Sequence, residues 1–431
     1  MSVLLGISVA ALAGLLMTRL FKPFRLPDVT AYIVAGILVG PYFLGRLGVP
    51  GLGFAEGDTQ ALALICDVAL GFIAFSIGNE LRFDRLRRTG RSVTIIGVVQ
   101  GVVAALLVDL VLLGVHLLWP SVLSVPQAIT LGAIATATAP AATLMVVRQY
   151  KAKGELTSLL LPIVALDDAV GLIVFAVSFG AAKSILAGGT NLLAVLLDPL
   201  FEIAGSLLLG GAMGLILTLF ERWFHSNTNR LSLTILFVFL TVALSKMTMS
   251  LGVFTLGFSP LLVCMMLGTV FCNVCPLSSD LMERSDKWTA PLFTLFFVIS
   301  GAELNVTADP NVLVIGIVYV LARSAGKMLG AWGGAKGTGC APKICRYLGV
   351  TLLPQAGVAL GMCRTAMELG EQGALVHNVI LFSILIYELI GPPMTKWALT
   401  KAGDISPKSA EVINRRAEKL RRAREEKASA K

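Results

Sequence analysis

Apolar runs about twenty residues long follow one another along most of the chain, separated by short polar segments that contain most of its arginine and lysine. Each run is long enough to cross a hydrocarbon core of roughly 30 Å as a helix. The pattern predicts about thirteen spans, near residues 3–21, 28–47, 60–81, 92–117, 127–147, 158–186, 199–220, 231–248, 251–272, 289–304, 311–333, 346–369 and 376–398. The expected fold class is therefore an all-α polytopic membrane protein.

Composition agrees: 56% of residues are hydrophobic and 14% charged, against roughly 25% charged in soluble domains, so a water-soluble surface cannot be built. Basic residues gather in alternate loops, at Arg19/Lys22/Arg25, Arg82 to Arg91, Arg148/Lys151/Lys153, Arg222/Arg230, Arg284/Lys287, Lys336/Lys343/Arg346 and the tail. By the positive-inside rule these are cytoplasmic, which puts the N-terminus outside and the C-terminus inside. Met1-Ser2-Val3 offers no basic leader, so the first run reads as a retained span. The net charge of +9 belongs to this topology signal and gives no nucleic-acid partner. The tail, residues 401–431, with Arg415, Arg416, Lys419, Arg421, Arg422 and Arg424, reads as a solvated basic segment near anionic lipid, with a regulatory docking segment as the sharper alternative. No nucleotide-binding regulatory domain is expected after Ser406. Cys66, Cys264 and Cys363 sit in apolar runs, and Cys272-Asn-Val-Cys275 lacks the second ligand pair a zinc site needs. No cofactor and no catalytic role are assigned, and the chain does not read as an enzyme.

Two internal correspondences point to a repeat. Phe75-Ser-Ile-Gly78-Asn-Glu80-Leu81 ends the third span and Val298-Ile-Ser-Gly301-Ala-Glu303-Leu304 ends the tenth, in opposite orientations. The fifth span carries Gly132-Ala-Ile-Ala-Thr136-Ala-Thr138-Ala-Pro140 and the twelfth Thr351-Leu-Leu-Pro354-Gln355-Ala-Gly357. Proline frees a backbone carbonyl in each, which lipid tolerates only where it is buried or lines a cavity. Broken helices at matching ranks in two inverted halves point to a transporter's ion site. Thr136, Thr138, Pro140, Pro354 and Gln355 are the candidate cation path.

Asp167 and Asp168 stand inside the sixth span. A charge at the bilayer centre costs at least about 2.5–3.5 kcal/mol, and adjacent helical residues point about 100° apart, so both can border one polar cavity. Desolvation and mutual repulsion favour the protonated form of such a pair. A carboxyl in that setting can hold a proton or a dehydrated cation, and the competition is an exchange mechanism. Arg323 and Lys327, one turn apart in the eleventh span, are candidate charge partners of Asp167; the alternative for Lys327 is snorkelling to the cytoplasmic surface. Lysine can give up its proton on burial and arginine cannot, so Arg323 fits a permanent counter-charge. Glu388, Gln100, Asp67, Asp109 and Gln355 can line the path or satisfy freed backbone, with Glu388 the foremost. His116, His225 and His377 fall at span ends or in loops, where surface histidines are ordinary.

These residues resemble the monovalent cation:proton antiporter superfamily, in the branch of bacterial sodium/proton and potassium-efflux antiporters. The resemblance covers residues 5–400 and is carried, in family order, by Leu26-Pro-Asp-Val-Thr-Ala-Tyr-Ile-Val-Ala-Gly-Ile-Leu-Val-Gly-Pro41, Gly78-Asn-Glu-Leu81, Ala165-Leu-Asp167-Asp168, Phe297-Val-Ile-Ser-Gly301, Arg323-Ser-Ala-Gly-Lys327, Pro354-Gln-Ala-Gly-Val-Ala-Leu360 and Glu388-Leu-Ile-Gly-Pro392. It implies the sodium/proton antiporter fold, with two crossing broken helices, and a homodimer that works as an elevator. The moving core would be residues 92–186 and 311–398, the dimerisation scaffold 1–81 and 199–304, all within a membrane domain of residues 1–400. It also implies that Asp168 is the main carrier and that Asp167 pairs with a basic residue of the eleventh span, as in electrogenic members. Sodium and protons are the implied cargo, with lithium or potassium as alternatives. Thr136-Ala-Thr138 lacks the acid some relatives carry in the fifth span, which leaves sodium against potassium open. A gated channel or membrane sensor, or an organic-anion symporter of the same architecture, is the competing class.

Overall fold

The chain forms helices wherever its apolar runs lie, because a helix satisfies its own backbone in lipid. A computed structural model describes residues 3–405 apart from 22–27, 48–52, 55–57, 85–89, 140–142, 145, 148–149, 187–191, 248, 252–253 and 305–309. In chain order the main helices are α1 (Val3–Phe21), α2 (Asp28–Val39), α3 (Ala63–Glu80), α4 (Arg91–Leu118), α5 (Val125–Ile134), α6 (Glu155–Leu186) and α7 (Leu192–Glu221). They continue with α8 (Asn227–Ser245), α9 (Pro260–Val274), α10 (Ser278–Ala302), α11 (Pro310–Gly337), α12 (Pro342–Thr351), α13 (Val358–Ala366) and α14 (Glu371–Ala402). Every expected span has its helix, α12 and α13 sharing the twelfth. Among the described residues eight helices are long and apolar enough to cross a membrane unaided. Pro140, the Leu26-Pro27 start of the first family stretch, several loop cations (Lys22, Arg25, Arg85, Arg87, Arg88 and Arg148) and the tail beyond residue 405 lie outside the described residues.

Two span starts differ most from those expected. The ninth helix starts at Pro260, not near 251, because Met249–Leu251 and Phe254–Leu256 pair as a short antiparallel hairpin. Pro260 takes the first helical position and the Ser259 hydroxyl accepts from the Leu262 N–H at 3.5 Å, a start signal that hydropathy does not register. α10 begins at Ser278, about three turns before the apolar run. That added stretch is held by the i,i+4 pairs Asp280–Arg284 at 2.8 Å and Glu283–Lys287 at 2.7 Å.

The repeat seen in the motifs reappears in the packing. α2 crosses α10 so closely that a Cβ on Gly36 would fall on the Val298 carbonyl and one on Gly301 on the Ile33 carbonyl. α3 crosses α9 in the same way, with Gly78 against the Met265 carbonyl and Gly268 against that of Phe75. Each half thus lends the first helix of its repeat to the second helix of the other. Small residues allow this backbone approach, the usual basis of helix association in lipid.

The other close crossing positions the polar centre. α11 lies along α4, and Cβ atoms added to Gly326, Gly330 and Gly334 would meet the Cα atoms of Ala104 at 2.7 Å, Gln100 at 2.6 Å and Ile96 at 3.0 Å. Residues four apart share one helical face, so this stripe holds one side of α11 on α4. Lys327, next to Gly326, is carried toward Gln100.

Candidate functional site

The breaks in the fifth and twelfth spans lie against each other. After Ile134 the chain turns at Ala135 and Thr136, runs non-helically through Ala139, and is helical again at residues 143–144 and 146–147. After Thr351 it turns at Leu352 and is non-helical over 353–356 before α13. The Ala139 N–H donates to the Pro354 carbonyl at 2.9 Å, and the hydroxyls of Thr138 and Thr143 lie 3.4 Å from the carbonyls of Leu352 and Thr351. Two helix C-termini, α5 and α12, therefore end at one place with carbonyls their own helices no longer use.

Arg323 serves these carbonyls. Its guanidinium is fully buried and donates to Ala135 at 3.0 Å, Ala137 at 2.6 Å and Leu353 at 2.8 Å. It also stacks 4.5 Å from the centre of the Tyr387 ring. A fixed positive charge here satisfies acceptors from both breaks and opposes the negative ends of both half-helices.

Lys327, one turn on, faces the carboxylates. Both Lys327 and Asp167 have no solvent exposure, and Nζ stands 2.8 Å from Asp167 Oδ2. The ammonium also donates to Gln100 Oε1 at 2.7 Å, to Thr138 Oγ1 at 3.0 Å and to the Thr136 carbonyl. Gln100 donates from Nε2 to Asp167 Oδ1 and, at 3.0 Å, to the Gly97 carbonyl; Thr138 donates to Asp167 Oδ2. Taking two charges out of water costs several kcal/mol per ion, which this set of hydrogen bonds offsets. Asp168 follows on α6, 3% exposed and thus inside the same dry region.

Of the two candidate cations, Lys327 lies against Asp167 and Arg323 against backbone carbonyls. Snorkelling by Lys327 is excluded, because α11 runs on to Gly337 and keeps that residue well inside the helix. Thr136 contributes its carbonyl, its hydroxyl being turned back to Ala133 at 2.7 Å. Gln355 is buried and donates to the Ile134 carbonyl at 3.0 Å and the Tyr319 hydroxyl at 2.9 Å. Glu388 is buried but accepts from Thr30 of α2 at 3.2 Å, so its recorded partner is not part of the Asp167 network. Asp67 pairs with Lys246 beside a cavity of about 330 Å³ that Arg364 and Glu368 also line. His377 is not a surface histidine: it is 2% exposed, with Nε2 3.6 Å from Glu303, which itself pairs with Arg364. The parts hydropathy and motifs missed are Tyr319, Tyr387 and the carbonyls of Ala135, Ala137 and Leu353, none of which carries a sequence signal.

A buried ammonium–carboxylate pair at the meeting of two broken helices, inside a bundle of membrane-spanning helices, is the arrangement of an ion site in a secondary transporter. A family model described as "Sodium/hydrogen exchanger, transmembrane" matches residues 7–401, and the chain belongs to that family. It is a multi-pass membrane cation/proton antiporter and not an enzyme. The chain is 24% identical to the Na(+)/H(+) antiporter NhaS4 of Synechocystis sp. over 91% of its own length and 95% of that protein. It is 23% identical to the high-affinity Na(+)/H(+) antiporter NhaS3 of the same organism, over 91% and 88%. Its fold is that of the sodium proton antiporter MjNhaP1 from Methanocaldococcus jannaschii, with a TM-score of 0.71 at 18% identity, covering 93% of this chain and 97% of that one.

Proposed function

We propose that this protein exchanges sodium for protons across a bacterial inner membrane, with Asp168 as the main carrier and Asp167 as the carboxylate that alternates between Lys327 and the cation. The observation that carries the reading is the solvent-free Asp167–Lys327 pair beside Asp168. A dehydrated cation can take the place of the ammonium only if Lys327 withdraws or loses its proton. Cation binding and proton release are then alternatives at one spot. The hydroxyl of Thr138 and the Thr136 carbonyl, now used by Lys327, are the oxygen donors a monovalent cation would inherit.

The domains move as an elevator in this reading, residues 92–186 and 311–398 carrying the site past a scaffold of 1–81 and 199–304. The protein works as a homodimer with its N-terminus outside and its C-terminus in the cytoplasm. The basic tail rests on anionic lipid. No cofactor takes part. Lithium is accepted with sodium, and potassium is the alternative cargo because the fifth span offers hydroxyls and carbonyls but no acid.

The test is purified protein in liposomes with an internal pH dye, given separate jumps of sodium, lithium and potassium. Proton flux with sodium and lithium is expected, and potassium alone as the active ion would reassign the cargo. Flux with none of the three would end the antiport reading for this chain. Asp168→Asn, which keeps size and hydrogen bonding but cannot exchange a proton for a cation, is expected to reduce flux to the level of empty liposomes while the protein still elutes as a folded species. Near-normal flux in that variant would remove Asp168 from the carrier role.

A further inference from the structure

A half-buried titratable group on α4 lies outside the network described so far. Asp109 is on α4, nine residues before the helix ends at Leu118, or roughly 13 Å of helix rise. Its Oδ1 is cut off from solvent and has no hydrogen-bond partner among the described residues. An ionisable side chain at that depth is costly to retain without a task.

Its surroundings connect it to the exchange site. Gly101, Ala105 and Asp109 are spaced four apart and share one face of α4. At one end of that face a Cβ on Gly101 would lie 3.5 Å from Asp167 Oδ1 and 4.0 Å from Thr136 Cβ. At the other, a Cβ on Gly132 would collide with Asp109 Oδ1 and stand 3.1 Å from the Ala105 carbonyl. The carboxyl of Asp109 thus fills the space a side chain on Gly132 would take, on α5, the broken helix that leads into the turn at Thr136. Between the two carboxyls the face of α4 offers only a glycine and an alanine, over roughly 12 Å.

We propose that Asp109 is a proton way-station on the route between the Asp167–Asp168 pair and the end of the membrane where α4 terminates. This rests on the antiport reading above. In each passage the Asp109 carboxylate takes a proton from water at that end and becomes the acid. It then gives the proton, through water admitted along Gly101 and Ala105, to the carboxylate pair. Only O–H bonds form and break, and the reverse passage returns the proton. Because Asp109 stands apart from Asp168, it acts on the rate of proton delivery and not on cation affinity.

Sodium-driven proton flux in liposomes would be followed across sodium concentrations for Asp109→Asn, Asp109→Glu and Gly132→Ala, with sodium-dependent thermal stabilisation measured on the same samples. Losing a positioned proton carrier typically costs a factor of about 10² or more. Asp109→Asn is expected to lower the maximal rate at least about tenfold, allowing for residual delivery by water, while leaving half-saturating sodium and the sodium-dependent stabilisation unchanged. Asp109→Glu is expected to recover much of the rate, and Gly132→Ala, which displaces the carboxyl without removing it, to slow exchange in the same way. A full maximal rate in Asp109→Asn would overturn the proposal. So would a change in half-saturating sodium at unchanged maximal rate, which would make Asp109 part of cation binding. If Asp109→Asn does not fold, Gly132→Ala decides on the same two readouts. Asp168→Asn run alongside separates the two ideas: normal exchange in that variant would defeat the site reading itself, whatever Asp109 does.

Discussion

Lys327 and Arg323 stand one turn apart on α11, carry the same charge, and have different work. Arg323 reaches three carbonyls that two interrupted helices leave over; its planar guanidinium is always charged and donates in several directions at once. A buried carbonyl left without a donor costs about 1–3 kcal/mol. Arg323→Met is therefore expected to lower the thermal midpoint of the detergent-purified protein sharply or to prevent its accumulation, and an unchanged midpoint would contradict the cradle role. Lys327 instead neutralises one carboxylate and is held by Gln100, Thr138 and Thr136. Lys327→Gln keeps hydrogen-bonding capacity, so it is expected to fold and to bind sodium without having to displace an ammonium from Asp167. Sodium titrations monitored by thermal shift should show equal or tighter binding, and markedly weaker binding would mean that Lys327 supports the cation instead of competing with it.

At the scale of elements, the distance between α4 and α11 decides whether those side chains meet. Gly330 is the tightest point of the stripe, where an added Cβ would stand 2.6 Å from Gln100 Cα. Gly333, on another face, has nothing within 4 Å of an added Cβ. Gly330→Leu must push the helices apart or rotate α11, separating Lys327 Nζ from Gln100 and Asp167. Exchange is expected to fall at least about tenfold, since misplacing a reacting group by about 1 Å costs on the order of 10² in rate. Gly333→Leu should transport at close to the unmutated rate. Equal behaviour of the two variants, read in the same flux assay, would mean that this crossing does not position the site.

For the molecule as a whole, the question is how much charge each cycle moves. If Asp167 and Asp168 both give up protons when one cation binds, or Lys327 supplies the second, two protons cross against one monovalent cation. Moving one net charge through the membrane is worth about 2.3 kcal/mol per 100 mV. Liposomes given a valinomycin-imposed potassium diffusion potential should then show sodium-coupled flux that changes with the sign of the potential. In Asp167→Asn the voltage dependence is expected to weaken while some exchange survives. An unmutated protein that ignores the potential would establish one-for-one exchange and remove Asp167 and Lys327 from charge coupling, with Asp168 still available as the carrier.

What the chain's order of residues determined by itself are the features that local chemistry decides. Membrane residence, the spans, the interrupted fifth and twelfth helices and the intramembrane acids all follow from hydropathy, proline and the cost of burying charge. Each can be read within a window of about 20 residues. The span limits that hydropathy misjudged were set by a cap at Ser259 and by ion pairs along the start of α10. Which cation faces Asp167 could not be read in this way, because Arg323 and Lys327 have the same charge and share a helical face. The difference comes from how α11 sits against α4 and the two breaks, which brings Leu353 and Ala137 to one side chain and Gln100 and Asp167 to the other. Likewise Glu388 found Thr30, and His377 was buried, through contacts between residues 358 and 74 positions apart in the chain. Helix rotation and depth are set by packing between spans, and only the tertiary structure contains them.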